Sequence, residues 1–228
     1  MTRISIIIPA FNEENGIGEV IREIPKGLVN EIVVVNNAST DNTYKIAAAE
    51  GATVLHEPVP GYGRACLKGI DYLQKSSAPP DIVVFLDADH SDYPEEIVSL
   101  VSQIQRNQAD LVIGSRAAGG RESGSMTLQQ LFGNWLATRL LRILYGVTFT
   151  DLGPFRAIRF DTLLALDMQD KTYGWTVEMQ LKAAKMGFRC AEVPVRYRKR
   201  IGFSKISGTL RGTVMAGYKI ITTIFKYL

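Results

Sequence analysis

Five short runs of aliphatic, mostly β-branched residues alternate with longer stretches in which apolar residues recur every three or four positions. The runs at 4–8, 31–35, 52–55, 82–86 and 110–113 read as strands. The stretches at 14–24, 41–50, 63–75 and 94–107 read as helices. Two helix starts carry the expected chemistry: Ser39 and Thr40 precede Asp41, and Asp92-Tyr93-Pro94-Glu95-Glu96 places proline and acids in a first turn. Val/Ile-rich strands separated by helices predict an α/β fold, a mostly parallel sheet with helices on both faces. Between 114 and 124 the periodicity gives way to Gly, Ser and Arg, which predicts a mobile loop. A helix over 127–145 follows. Leu128, Leu131, Phe132, Trp135, Leu136, Leu140 and Leu144 share one broad face, usually a core stripe and less often a lipid-facing one. The segment 208–228 is a second amphipathic helix, with Leu210, Val214, Ile221, Ile224 and Phe225 among Arg211, Lys219 and Lys226. It is too short and too lysine-rich to span a bilayer. It either packs on the domain or lies on a membrane surface.

Composition narrows this little. The chain has 228 residues, 46% hydrophobic and 21% charged, ordinary for one large globular domain or one domain with an appendage. Cys66 and Cys190 are isolated and read as buried thiols in a reducing compartment. His56 and His90 are too few for a histidine metal site. No signal peptide precedes the first strand. The net charge is only +3, but between Leu181 and Leu228 eleven basic residues face a single acid, Glu192. Such an end suggests an anionic partner, either phosphates or an acidic lipid surface. Nucleic acid is disfavoured, because no recognition motif accompanies the cations.

Asp87-Ala88-Asp89 directly follows the fourth strand. A parallel strand ending in two carboxylates delivers them to the sheet edge where α/β folds bind ligands. Two hard oxygen ligands at this spacing suit Mg²⁺ or Mn²⁺, with water and substrate phosphates as further ligands. Ser91 is close enough to assist. Alone the motif could be a solvated turn. Three other polar segments also fall at strand ends: Pro9-Ala10-Phe11-Asn12-Glu13, Asn36-Asn37-Ala38-Ser39-Thr40-Asp41 and Gly114-Ser115-Arg116.

These segments, with Gly61-Tyr62-Gly63-Arg64-Ala65, Asp151-Leu152-Gly153-Pro154-Phe155-Arg156, Gly174-Trp175-Thr176-Val177-Glu178 and Arg200-Ile201-Gly202-Phe203-Ser204-Lys205, resemble the family 2 glycosyltransferases of GT-A fold. The likeness is greatest to the dolichyl-phosphate mannosyltransferase and polyprenyl-phosphate glycosyltransferase branch, and it spans almost the whole chain. It implies a Rossmann-like catalytic domain over 1–207, with a nucleotide-sugar half to 116 and an acceptor half from 117, followed by the 208–228 helix. It implies that Pro9, Phe11, Glu13, Val35 and Asn37 line the base and ribose pocket. Asp87, Ala88 and Asp89 would hold the diphosphate through a metal, and Lys205, Arg198 and Arg200 the leaving group. Arg116 would face the acceptor phosphate, with Arg121, Gln130 and Asn134 on the acceptor side. Glu178 matches an acidic position near the acceptor; it also reads as an ordinary first-turn acid. Where the family often has two aspartates after strand two, this chain has Asn36 and Asn37, which keep an acceptor oxygen and lose the charge.

The implied reaction is inverting transfer from a nucleotide sugar (GDP-mannose or a UDP-hexose) to a polyprenyl phosphate at the cytoplasmic membrane face, by a peripheral enzyme. A phosphate acceptor is largely dianionic at neutral pH, its second pKa being near ~6, and needs positioning more than deprotonation. A sugar hydroxyl would need a general base and is the alternative acceptor. The processive synthases' Q-x-x-R-W signature is missing, since neither Trp135 nor Trp175 follows an arginine. A nucleotidyltransferase would open with a Gly-rich basic loop where this chain has Pro9–Glu13. A basic membrane-binding module without activity would not need the paired aspartates.

Overall fold

The computed structural model describes residues 2–202 and 210–227. All five expected strands form: β1 (Ile4–Ala10), β2 (Glu31–Asn37), β3 (Thr53–Glu57), β4 (Ile82–Phe85) and β5 (Leu111–Ser115). Two more complete the sheet, β6 (Arg156–Arg159) and β7 (Cys190–Pro194). The order is β3-β2-β1-β4-β6-β5-β7. Every pairing is parallel except the two made by β6, which runs antiparallel between β4 and β5.

Period-two alternation divides each central strand between two cores. Ile4, Ile6 and Ile8 of β1 point to one face with Val34, Val84 and Val112, under α1 (Ile17–Glu23), α2 (Thr43–Ala49) and α4 (Ile97–Gln105). Ile7 points to the other with Val33, Val83, Phe85 and Ile113, under α3 (Tyr62–Gln74), α6 (Phe160–Ala165) and α7 (Trp175–Lys185). Each fully buried aliphatic side chain contributes ~1.5–3 kcal/mol.

Helix ends differ from the sequence reading for local reasons. The first helix starts at Ile17, not residue 14, because residues 13–16 form a turn in which Glu13 O accepts from Gly16 N and Ile17 N. Gly16 has no alternative there, since a Cβ would lie 2.7 Å from Ala88 O. The helix α5 (Leu128–Tyr145) begins with a Thr127/Gln130 capping box and ends at Gly146 in the left-handed region, φ 69°. The expected mobile loop at 114–124 is laid along residues 195–199. Glu122 N donates to Tyr197 O, Lys199 N donates to Glu122 Oε2, and Gly119 packs on Val195 where no side chain would fit. Gly119 serves close approach, whereas Gly120 faces open space and Gly124 takes a left-handed φ of 78°.

The last helix, α8 (Leu210–Lys226), packs on the domain along one side and leaves apolar side chains exposed along the other. One side packs on the domain through buried Thr223 and Ile224. Tyr145 Oη donates to Ile224 O, Lys219 Nζ pairs with Asp170 at 2.9 Å, and Tyr227 Oη donates to Glu178 at 2.6 Å. The other side leaves Val214, Met215, Tyr218 and Phe225 exposed. The adjoining α5 likewise exposes Leu128, Phe132, Trp135 and Ile143 and fully buries only Ala137 and Leu141. Among the described residues, no helix is long and apolar enough to cross a membrane.

Candidate active site

The carboxyl ends of β1, β2 and β4 put their loops side by side, and side-chain bonds stitch the loops together. Asn12 N donates to Ser39 Oγ (3.0 Å), Thr40 N to Asn12 Oδ1 (2.8 Å) and Glu13 N to Thr43 Oγ1 (2.8 Å). Asn37, buried at the end of β2, donates to Glu57 O and Val59 O and accepts from Gly61 N at 2.8 Å. Its amide is therefore spent on fixing the 57–61 turn. Gly61 and Gly63 let that turn and the start of α3 touch Asp170 and Lys171: a Cβ on Gly63 would sit 2.0 Å from Asp170 O. The result is a cavity of about 450 Å³.

Ten residues expected at the site line this cavity: Pro9, Phe11, Glu13, Asn37, Asp87, Ala88, Asp89, Arg116, Gln130 and Arg200. Asp89 is buried, accepts from Ser91 N (3.0 Å) and Oγ (2.5 Å) on one oxygen, and pairs with Arg200 at 2.9 Å on the other. Ser91 thus lies behind Asp89 and orients it. Asp87 accepts from Tyr62 Oη at 3.2 Å. Burial, then the nearby Asp89, raise its carboxyl to about 7. Asp92 lies deeper; neither of its oxygens has a hydrogen-bond partner among the described residues, and burial followed by Asp87 and Asp89 pushes it well up. Three crowded carboxylates with one ion-paired arginine form a site short of positive charge.

Arg116 supplies the opposite wall. Its backbone N and Nε both donate to Asp151 Oδ2 at 2.8 Å, and Nη2 donates to Oδ1 at 2.7 Å. The guanidinium lies 5.0 Å from the Tyr197 ring centroid. Burial opposes its charge, but Asp151 outweighs this and raises the Arg116 pKa. Burial likewise works against Asp151, whose carboxyl Arg116 nevertheless holds below the usual range.

The other expected residues sit elsewhere. Val35 is in the core of the sheet. Arg198 donates to His90 O and Glu23 and lies over the Tyr93 ring. Arg121 is exposed in the loop along Tyr197. Asn134 bonds Thr150 O and Leu152 N and so fastens α5 to the turn that carries Asp151. Glu178 is wholly buried, accepting from Gln169 N, Asp170 N, Tyr227 Oη and Lys182 Nζ. Burial raises its carboxyl, but those donors win and hold it below the ordinary value. Lys205 lies outside the described residues. Four cations of the basic C-terminal stretch pair with acids distant in sequence: Arg196 with Glu95 and Glu96, Arg198 with Glu23, Arg200 with Asp89, Lys219 with Asp170.

Sequence reasoning assigned no role to Tyr62, Leu152, Pro154, Tyr173, Trp175, Thr176, Tyr197 or Ala216, which also line the cavity. Most lie within the motifs that carried the family likeness, and that was their signal. Among the described residues, no acid from beyond β5 lines the cavity; Glu13 comes from the loop after β1, and Asp87 and Asp89 from the loop after β4. Among the described residues, no set of three or more His, Cys, Asp or Glu side chains is arranged to hold a metal. A cation here would use the Asp87 and Asp89 oxygens and complete its shell from phosphates and water.

The family model for glycosyl transferase family 2 matches residues 5–166. An undecaprenyl-phosphate mannosyltransferase of Micrococcus luteus is 34% identical over 226 residues, covering 92% of this chain and 90% of that one. A dolichyl-phosphate hexose transferase of Haloferax volcanii is 30% identical, covering 89% and 86%. Among solved structures, glucosyl-3-phosphoglycerate synthase from Mycobacterium tuberculosis, in complex with Mn²⁺, uridine diphosphate and phosphoglyceric acid, superposes with a TM-score of 0.78 at 24% identity, covering 99% of this chain and 78% of that one. This likeness shows the shared GT-A fold.

Proposed function

Because the chain belongs to glycosyl transferase family 2, we propose that it transfers a sugar from a nucleoside-diphosphate sugar to a polyprenyl phosphate, with inversion, while attached peripherally to the cytoplasmic face of a membrane. The carrying observation is which elements border the cavity. Gln130 of α5 and Ala216 of α8 line it, and beside them in the same helices Leu128, Phe132, Val214, Met215 and Tyr218 are exposed. A fixed arginine in the cavity wall and exposed apolar side chains on two of the bordering helices suit an amphiphile with a phosphate head. The relatives named for undecaprenyl and dolichyl phosphate support the same acceptor class.

In this reading the donor half runs to residue 116 and the acceptor half from 117 to 207, with two exceptions: Arg116, at the boundary, serves the acceptor, and Arg200 serves the leaving diphosphate. Pro9, Phe11 and Glu13 flank the nucleoside, and Asp87 and Asp89 face the diphosphate. The residues present fit a divalent ion: two carboxylates face the cavity, Asp92 behind them lacks a hydrogen-bond partner among the described residues, and burial and Asp89 hold Asp87 near 7. Mg²⁺ or Mn²⁺ would neutralise the departing diphosphate. Arg200 can leave Asp89 for a phosphate oxygen when an ion binds. Arg116 orients the acceptor phosphate, whose oxygen attacks the anomeric carbon as the C–O bond to the diphosphate breaks. No protein base is required, which matches a wall beyond β5 that offers Arg116, Gln130, Tyr173 and Thr176 but no carboxylate.

A soluble phosphorylated acceptor, such as the phosphoglyceric acid bound by the structural neighbour, would also meet Arg116 but leaves the exposed apolar side chains of α5 and α8 unused. The test is a matrix of UDP- and GDP-sugars against polyprenyl phosphate and small phosphorylated hydroxyl acceptors, with Mg²⁺ or Mn²⁺, read by mass spectrometry. A polyprenyl-phosphate sugar is the expected product. Transfer only to a hydroxyl acceptor would refute the proposal.

A further inference from the structure

Arg156, at the start of β6, is fully buried and has no acidic partner among the described residues. Burial pulls its pKa down to about 10, so it is still cationic at neutral pH. A buried, unpaired charge is costly, and its contacts show what it is used for. Nη1 donates to Thr176 O at 3.0 Å; Nη2 donates to Leu152 O and Gly153 O. The acceptors belong to two separate walls of the cavity: Leu152 and Pro154 line one, Trp175 and Thr176 the other. The first wall is also the support of Arg116. Asp151 takes three of its N–H groups, and a Cβ on Gly153 would meet Arg116 Nε at 3.2 Å. One glycine turn is therefore held between two guanidiniums, Arg156 on its carbonyl and Arg116 against its Cα.

We infer that Arg156 is a positioning residue for acceptor binding: a buried clamp that fixes the 151–154 turn to the start of α7 and, through Asp151, sets the orientation of Arg116. A single ammonium cannot make the forked contact to both walls, so lysine would not replace it. The inference builds on the proposed role of Arg116, but the clamp itself does not depend on which acceptor is used.

Three measurements test it, on Arg156→Met and on Arg156→Lys, which serves if the first does not fold. Hydrogen exchange should show lost protection at amides 151–153 and 174–178, with β1, β2 and β4 unchanged. Unchanged protection there overturns the clamp whatever the acceptor proves to be. Kinetics with polyprenyl phosphate form a double-mutant cycle with Arg116→Ala. The Arg156 variant should lose roughly 10- to 100-fold in kcat/KM for the acceptor, yet cost less than about threefold in the Arg116→Ala background. UDP and GDP affinity with Mn²⁺, by calorimetry, should stay within about threefold of the parent. Additive losses, or equal loss of nucleotide affinity, overturn a role through Arg116. If the parent gives no transfer to polyprenyl phosphate while the exchange result holds, the acceptor assignment has failed and the clamp has not.

Discussion

Asp151→Asn tests the electrostatics of the acceptor wall directly. The side chain is almost fully buried and takes three Arg116 bonds of 2.7–2.8 Å. The amide preserves shape but turns one acceptor atom into a donor facing a cation and leaves the Arg116 charge buried and unopposed. Breaking such a pair from one side costs about 3–5 kcal/mol. In a domain of this size each kcal/mol is worth roughly 2–4 °C, so the midpoint should fall by about 6–20 °C. The Arg116→Met/Asp151→Asn double variant removes both charges and should recover most of the loss, since a buried pair as a whole is worth little. Both variants should be nearly inactive. The sign of the pH effect follows from the depressed Asp151 carboxyl. Its contribution is fully present above the unfolded value of about 3.9 and is lost as pH falls through the lower folded value. The gap between wild type and Asp151→Asn should then be flat from pH 8 to 5 and close only in stronger acid. Thermal melts across that range measure it. A loss under about 1 kcal/mol, or a double variant no better than the single, would refute the reasoning.

Three further outcomes are expected. Asp89→Asn should cut turnover by about 100-fold or more at a temperature where the variant is still folded, and EDTA should silence the wild type until Mg²⁺ or Mn²⁺ is restored; full activity in EDTA excludes the metal role. Asp87, raised to about 7, titrates the other way: without metal, stability should fall as pH rises from about 4 to 7, and Asp87→Asn should flatten that slope in melts run in EDTA. Trp135→Glu/Tyr218→Glu should weaken co-sedimentation with anionic vesicles and raise KM for polyprenyl phosphate while sparing nucleotide affinity; unchanged sedimentation counts against docking through α5 and α8.

The cavity wall built from the loops after β1, β2 and β4 was legible because its residues follow parallel strands whose apolar runs are unmistakable. Pro9, Asn37 and Asp87 inherit their place from β1, β2 and β4. The opposite wall was not, because β6 reads Arg-Ala-Ile-Arg and hides a central strand between charges. Its first arginine is buried and its second is held by Asp110 and Asn107. The ion pairing of the basic end was hidden for a related reason. The acids that neutralise Arg196, Arg198 and Arg200 lie about 100 or more residues earlier, so local charge counting finds a patch where the fold makes ion pairs. Glu178 looked available because its donors come from the 169–170 turn and from Tyr227, neither adjacent in sequence.

The antiparallel β6 also sets the order of events during synthesis. Strand β5 makes no pair with β4; it joins the sheet only through β6 and β7, both later in the chain. On the ribosome, Leu111-Val112-Ile113 therefore emerges with no neighbour to bond. Roughly 40 residues must follow before β6 arrives, a delay of about 2–8 s at ~5–20 residues per second. During that window the nascent chain presents an unpaired apolar strand, which is a hazard for edge-to-edge association. A donor half cut after Arg116 would keep that hazard permanently, so it should need chaperones or precipitate instead of serving as a free-standing nucleotide-binding fragment.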